Sequence, residues 1–191
     1  MNGLEILSSF QERENNYMNN IIIKKLKKFV FALFFYHEST DYWWGLRCKA
    51  LRGGMIGVLA KFFYRILINK YNSFLPLNIG FDGKPVFPHG IRGVFISGGA
   101  KIGSNCVIFH QVTIGSNTLK DSKHYGAPII GDNVYIGCGA KIIGNIKVGN
   151  NVRIGANCVV QEDIPDNATV VLPKSRIIAK NNIQDNRFNV F

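Results

Sequence analysis

The stretch "IGSNCVIFHQVTIGSN", residues 102–117, repeats an aliphatic side chain at Ile102, Ile108 and Ile114. A spacing of six fits neither the helical period of 3.6 nor the strand period of 2. The phase extends back to Ile96 and resumes downstream at Ile130, Ile136, Ile142, Val148, Ile154 and Val160. With the aliphatic residue as position 1, position 5 is small or apolar almost throughout, from Ala100 and Cys106 to Cys158 and Ile164. Position 4 reads Gly99, Asn105, Gln111, Asn117, Asn133, Gly139, Asn145, Asn151, Asn157 and Asp163. Gly, Asn and Asp tolerate a left-handed backbone, so the chain is expected to turn a corner once in every six residues. Short β-branched strands separated by corners wind into a three-sided coil, three hexads to the turn, with position 1 filling the interior. The expected fold is mainly β: a parallel β-helix with a helical segment before it.

One hexad departs from the pattern. Gln111 has no special tolerance for the left-handed corner, and His110 stands beside it at position 3, which should face outward. Local rules tend to fail at functional or strained positions. His110 and Gln111 are therefore candidate substrate-binding residues, with an interface or plain surface histidine as the other reading of His110.

The phase also slips. Ile114 and Ile130 are sixteen residues apart, so "SNTLKDSKHYGAP" contains a loop that leaves the coil. Loops on rigid scaffolds are where function concentrates, which makes His124 a candidate for catalysis or acceptor binding. Past the last hexad, "DIPDNATVVLPKSRIIAK" breaks the repeat with Pro165 and Pro173 and is expected to close the final coil. The division expected is a helical region over 1–75, the β-helix over 76–178 and a polar tail over 179–191. Asn167 heads a glycosylation sequon; the polar opening stretch does not read as a secretory signal, so the sequon is expected to be incidental.

Before residue 75 the periodicity is helical. Ile22, Leu26, Phe29, Val30, Leu33 and Phe34 fall near one stripe of a helix over about 20–36, with Lys24, Lys25, Lys27 and Lys28 largely off it. A second helix is expected over about 55–71, with "YWWGLRCKALRGG" forming a helix and turn between them. Trp43 and Trp44 read as packing anchors. Two readings stay open for the helices: they pack on the rest of the protein or a sister subunit, or they form a basic arm resting on anionic lipid. The longest uncharged apolar run here, "FVFALFFY", is far shorter than the roughly 20 residues a membrane span needs.

Bulk properties narrow the classes of partner. The net charge of +11 is spread over both halves of the chain and suits a phosphate-bearing cofactor, an anionic membrane face or an acidic polymer. Nucleic acid fits the charge alone, since no zinc-finger spacing, RNP-type aromatic strand or helix-turn-helix signal accompanies it. The 4 cysteines form no CxxC pair, which is the pattern of a reducing cytoplasm. Cys138 is not expected to be a nucleophile.

The motifs "HGIRGVFISGGAKIG", "QVTIG", "GAPIIGDNVYIGCGAKIIGNIKVGNNVRIGANCVV" and "DIPDNATVV" together resemble the serine acetyltransferase branch of the hexapeptide acyltransferases. The likeness covers about residues 85–178. It implies a left-handed β-helix, against the usual right-handed crossover rule, assembled as a homotrimer that binds acetyl-CoA between subunits and needs no metal. It places the catalytic histidine at His89 in "PHGIRG", acting as general base on an acceptor hydroxyl. It implies backbone contacts to the pantetheine arm at Cys138 and Ala156, and contacts to the CoA phosphates from Lys174, Arg176 and Lys180.

The departures from that family are informative. Pro88 stands where its members carry Asp before the base, leaving Asp82 as the candidate to orient the ring. Gly126-Ala127 replaces an Arg-His pair before Pro128, removing the expected clamp for a serine carboxylate. "YGAP" is also seen in sugar-acetylating relatives. The expected acceptor is accordingly a sugar hydroxyl of a bacterial surface polysaccharide, with serine as the alternative, and the expected location is the cytoplasm, at the inner membrane face if the basic helix touches lipid. A zinc-dependent, carbonic anhydrase-like β-helix is the remote alternative. It would need His89, His110 and His124 to converge on one ion.

Overall fold

A computed structural model describes residues 40–175, together with residues 20, 24 and 177. The stripe expected over 20–36 lies outside the described residues, apart from Asn20 and Lys24, both helical. Among the elements described in full, two helices, α1 (Thr40–Leu51) and α2 (Gly54–Lys70), precede the strands. In chain order these are β1 (Gly80–Phe81), β2 (Phe95–Ile96), β3 (Lys101–Ile102), β4 (Val107–Ile108), β5 (Thr113–Gly115) and β6 (Ile129–Ile130). They continue as β7 (Tyr135–Ile136), β8 (Lys141–Ile143), β9 (Lys147–Val148), β10 (Arg153–Ile154), β11 (Val159–Val160) and β12 (Thr169–Val170).

Each strand is followed by a corner, and the strands stack into three parallel sheets of four. The first sheet has the order β1-β3-β6-β9, the second β4-β7-β10-β12 and the third β2-β5-β8-β11. The chain passes from first to second to third sheet and round again, a left-handed parallel β-helix. Register follows the hexad: Ile96 pairs with Ile114, Ile114 with Ile142 and Ile142 with Val160. All ten position-1 residues, Ile96 through Val160, are 3% exposed or less, so the aliphatic ladder fills the bore as the spacing requires. Thr169 and Val170 add a further rung below β10, so "DIPDNATVV" does close the final coil.

The corners differ from the expectation. A left-handed backbone occurs at Asn105, Gln111, Asn133, Gly139, Asn151 and Asn157, but not at Gly99, Asn117, Asn145 or Asp163. The exceptions all lie between the third and first sheets, where the protruding loop leaves the coil and where Gly144 carries the positive φ instead. Two corners in three therefore use the left-handed turn, not every one. At the edge between first and second sheets the asparagines form a ladder: Asn105 Nδ2 donates to Asn133 Oδ1, Asn133 Nδ2 to Asn151 Oδ1, and Asn151 Nδ2 to Asn167 Oδ1, at 2.9–3.0 Å.

The helices close the upper mouth of the coil. Trp43 on α1, 2% exposed, sets its ring edge-on against Phe87 and Phe81, with centroids 5.3 and 5.9 Å apart. Arg47 lies beneath it, 6% exposed, with its guanidinium over the rings of Trp44 and Phe81. Its Nη2 donates to the carbonyls of Leu77 and Ile79. Burial lowers its pKa. Trp43 is thus the packing anchor expected of it.

Tyr64 on α2 donates its hydroxyl to Leu75 O at 2.6 Å, and burial pushes its pKa up to about 12. A phenol raised in the folded state contributes stability that is complete below the unfolded value near 10. That stability is lost as pH rises from there through the folded value. The expected loss is about 2–3 kcal/mol between pH 10 and 12. Tyr64→Phe should flatten that decline, while costing about 1–3 kcal/mol at neutral pH because the Leu75 carbonyl loses its donor. Denaturant titrations at neutral and alkaline pH check both parts.

Candidate functional site

The first corner between second and third sheets is longer than those below it. Val86 bridges to Val107 and Phe95 pairs with Thr113, so nine residues separate two points on the upper coil where six do on the next. The three extra residues fall in "PHGIRG". Gly90 and Gly93 carry the positive φ angles that let this corner bulge. The Val86–Val107 register places His89 directly above His110.

The two imidazoles meet. His89 Nδ1 and His110 Nδ1 are 2.9 Å apart, with ring centroids 4.9 Å apart and the planes tilted by 36°. His89 is exposed and His110 half-buried. Phe109 supports the pair, edge-on to His89 at 5.3 Å and itself against Tyr135 at 5.1 Å. Gln111 takes the left-handed corner despite its side chain, with φ 60°. Such a conformation persists where its surroundings over-determine it: Lys141 Nζ donates to the carbonyls of Gln111 and Gly139, at 2.8 and 2.9 Å, and Gln111 N–H donates to Arg92 O.

The same edge carries the other candidates down the coil. His110, Cys138 and Ala156 all occupy position 3 on successive rungs. Their backbone N–H groups have no partner among the described residues, although the next residue on each lower rung is tied upward: Gly139 N–H to His110 O and Asn157 N–H to Cys138 O. Gly139 takes the left-handed corner at φ 70° in this column, as Gln111 and Asn157 do on the rungs above and below, and a Cβ there would displace the Asn157 amide, whose Oδ1 lies 2.1 Å away. Lys174, exposed, follows β12 just past the same edge. Stacked strands lie about 4.8 Å apart, so the three steps from the His110 rung to the β12 rung span about 14 Å. Arg176 and Lys180 lie outside the described residues.

Two candidates sit elsewhere. Asp82 is exposed at the edge between first and second sheets, its N–H bonded to Ile102 O, with the width of the second sheet between it and His89. The ring nitrogen of His89 meets His110, not Asp82. His124 lies in the loop that leaves the coil between third and first sheets. Asn117 and Gly126 pinch the base of that loop with paired backbone bonds of 2.8 and 2.9 Å. Asn117 Nδ2 donates to Ser122 Oγ, and Asn145 N–H to His124 O. His124 is thus one corner removed from the histidine pair. Among the described residues no three His, Cys, Asp or Glu side chains come together as metal ligands.

Comparison with known proteins agrees with this architecture. Residues 127–162 match the family described as bacterial transferase hexapeptide (six repeats). The serine acetyltransferase of Mycobacterium tuberculosis is 39% identical over 98 residues, which cover 51% of this chain and 42% of that protein. The Synechococcus elongatus serine acetyltransferase is 40% identical over 103 residues, covering 53% of this chain and 41% of that one. Among solved structures, soybean serine acetyltransferase superposes with a TM-score of 0.55 at 33% identity, covering 70% of this chain and 54% of that chain. Isoform 3 from Entamoeba histolytica, in complex with cysteine, gives a TM-score of 0.52 at 32% identity over 64% of this chain and 44% of that chain. The chain thus spans about half, or less, of the length of these relatives.

Proposed function

Taking as its premise a hexapeptide-repeat coil with serine acetyltransferases for relatives, we propose that this protein is an acetyl-CoA-dependent O-acetyltransferase. The observation that carries the reading is the single edge on which an exposed imidazole stands above a column of N–H groups without partners among the described residues, with the exposed Lys174 following the last strand. His89 Nε2 takes the proton of the acceptor hydroxyl as its oxygen attacks the thioester carbonyl. The N–H groups of His110 and Cys138, without partners among the described residues, serve as donors for the charge that develops on that carbonyl oxygen. The C–S bond then breaks, and His89 returns its proton to the departing thiolate. The pantetheine arm runs down the edge past Cys138 and Ala156 toward Lys174, with Arg176 and Lys180 as further phosphate contacts. Lys174→Ala is expected to raise the KM for acetyl-CoA about threefold, as suits one exposed charge worth up to about 1 kcal/mol, with kcat unchanged in steady-state assays.

Serine is the acceptor the relatives favour. A sugar hydroxyl, as on a bacterial surface polysaccharide, is the second reading, favoured by Gly126-Ala127 before Pro128, which brings no charge to meet a carboxylate. Acetyl-CoA consumption measured side by side with serine and a panel of sugars tests both. Turnover with neither would overturn the proposal.

A homotrimer completes the site in this reading. His89 and the His124 loop lie at opposite edges of the third sheet in one chain, and a neighbouring copy is what would bring one to the other. Membrane contact is proposed through α2. Its Met55, Leu59, Phe62 and Ile66 are 88, 58, 60 and 40% exposed, spaced as one helical stripe facing away from the coil. The exposed Lys49, Arg52, Lys61 and Arg65 flank it, and no acidic residue occurs between Asp41 and Asp82. No described helix is long and apolar enough to cross a membrane. The protein is expected to co-sediment with anionic phosphatidylglycerol vesicles and not with phosphatidylcholine. Leu59→Ser with Phe62→Ser should abolish that binding. Equal binding to both vesicles, or none to either, would remove lipid from the account.

A further inference from the structure

We propose that His110 is a positioning residue that fixes the tautomer of His89, one imidazole doing for another what a carboxylate does in the familiar catalytic triads. The inference rests on the reading of His89 as the base. At 2.9 Å the two Nδ1 atoms are hydrogen-bonded, so one of them carries a proton and the other a lone pair. With both rings neutral, only two arrangements exist. If His110 donates, His89 bears its own proton at Nε2, and that nitrogen has no lone pair with which to take a proton from an acceptor. If His89 donates, its Nε2 lone pair is free and faces away from His110, and His110 holds its own proton at Nε2. The second arrangement is the competent one.

An isolated imidazole in water favours the Nε2–H form, so the competent form needs a partner that accepts at Nδ1. Asp82 is at the wrong edge to do so, and Pro88 removes the neighbouring position. His110 is the group present. Its placement is supported from both sides: Phe109 packs on the His89 ring, and the corner after His110 is held by Lys141 through the Gln111 and Gly139 carbonyls. The strained Gln111 corner thereby gains a purpose, since it sets where the preceding side chain stands.

The proton balance is complete within the pair. As the acceptor proton reaches His89 Nε2, the His89 Nδ1 proton can move to His110 Nδ1, leaving the positive charge on His110. When the thiolate takes the Nε2 proton, the proton on His110 Nδ1 returns to His89. No further acid, base or ion enters.

The test reads the tautomer directly. The chain holds 4 histidines, so long-range nitrogen–proton NMR spectra of the histidine-labelled full chain can be assigned by single substitution. At a pH where both rings are neutral, His89 is expected as the Nδ1–H tautomer in the native protein and as Nε2–H in His110→Leu. His110→Gln, which keeps a carbonyl acceptor, should retain the Nδ1–H form. In turnover, His110→Leu is expected to lose about 10- to 100-fold in kcat, by analogy with the loss of a hydrogen-bond partner from a metal-ligating histidine. The KM for acetyl-CoA should hold, and His110→Gln should recover most of the rate. An Nε2–H signal for His89 in the native protein, or a tautomer unmoved by His110→Leu, overturns the proposal. Because the spectrum needs no turnover, a protein inactive toward every acceptor would sink the acetyltransferase reading without touching this result.

Discussion

His89→Ala is expected to reduce acetyl transfer by about 10²- to 10⁴-fold, the usual contribution of a placed general base. An alcohol is protonated at neutral pH and attacks a thioester poorly. Without the imidazole the proton must pass to water while the charge builds. Affinity for CoA should change little, because the contacts proposed for it lie further along the edge, at Cys138, Ala156 and Lys174. Calorimetric titration of CoA and a progress curve for acetyl-CoA consumption separate the two effects. A variant that turns over within about threefold of the parent would take His89 out of the chemistry. A variant that loses CoA binding as well would mean that the long corner holds the cofactor, not only the base.

The second large effect concerns the bore. Ile142 is fully buried between Ile114 above and Val160 below. Ile142→Ala is expected to cost about 2–5 kcal/mol, at the upper end because stacked parallel rungs relax poorly toward a void. Ile142→Leu conserves volume and should cost less than about 1.5 kcal/mol. Denaturant midpoints at one fixed protein concentration would show the difference. If both variants lost the same stability, the shape of the side chain in the bore, and not the void left behind, would govern the cost.

Much of this architecture was legible from residue spacing. A period of six admits one inward position per strand, and all ten aliphatic residues there are buried, with position-5 residues such as Val112, Ile146 and Val152 buried at the corners beside them. The corners were only partly legible. Asn and Gly mark tolerance for a left-handed turn, but tolerance is not use: Gly99 and Asn145 stand in the pattern and take other conformations, because the third-to-first edge must also let a loop escape. Gln111 failed the opposite way, adopting a backbone its side chain disfavours, held there by Lys141 and by its own N–H bond to Arg92 O. No pattern announced that lysine, which shares the outward position 6 with many residues of no special role.

The site was legible in its members more than in its wiring. His89 and His110 were each singled out, yet their contact depends on a separation of twenty-one residues where the repeat supplies eighteen. The difference is absorbed in a corner whose extra length has no periodic signature. Asp82 was near in sequence and remote in space for the same reason: seven residues of chain carry it across a full face of the coil. Arg47 gave no sign of its role either, since nothing local says that a charged helix residue will be laid over two aromatic rings and given two carbonyls.

A stack of parallel strands has two raw ends, and each is a template on which another stack can grow. In this molecule the indole of Trp43 seats itself in the upper mouth over Phe81 and Phe87, and α1 and α2 follow it across the opening. Coils of this kind can therefore join side by side, but the plugged end denies them growth into a fibre from that direction. Stripping away the plug, for instance by Trp43→Asp, should open that end to growth, read as high-mass species in sedimentation velocity.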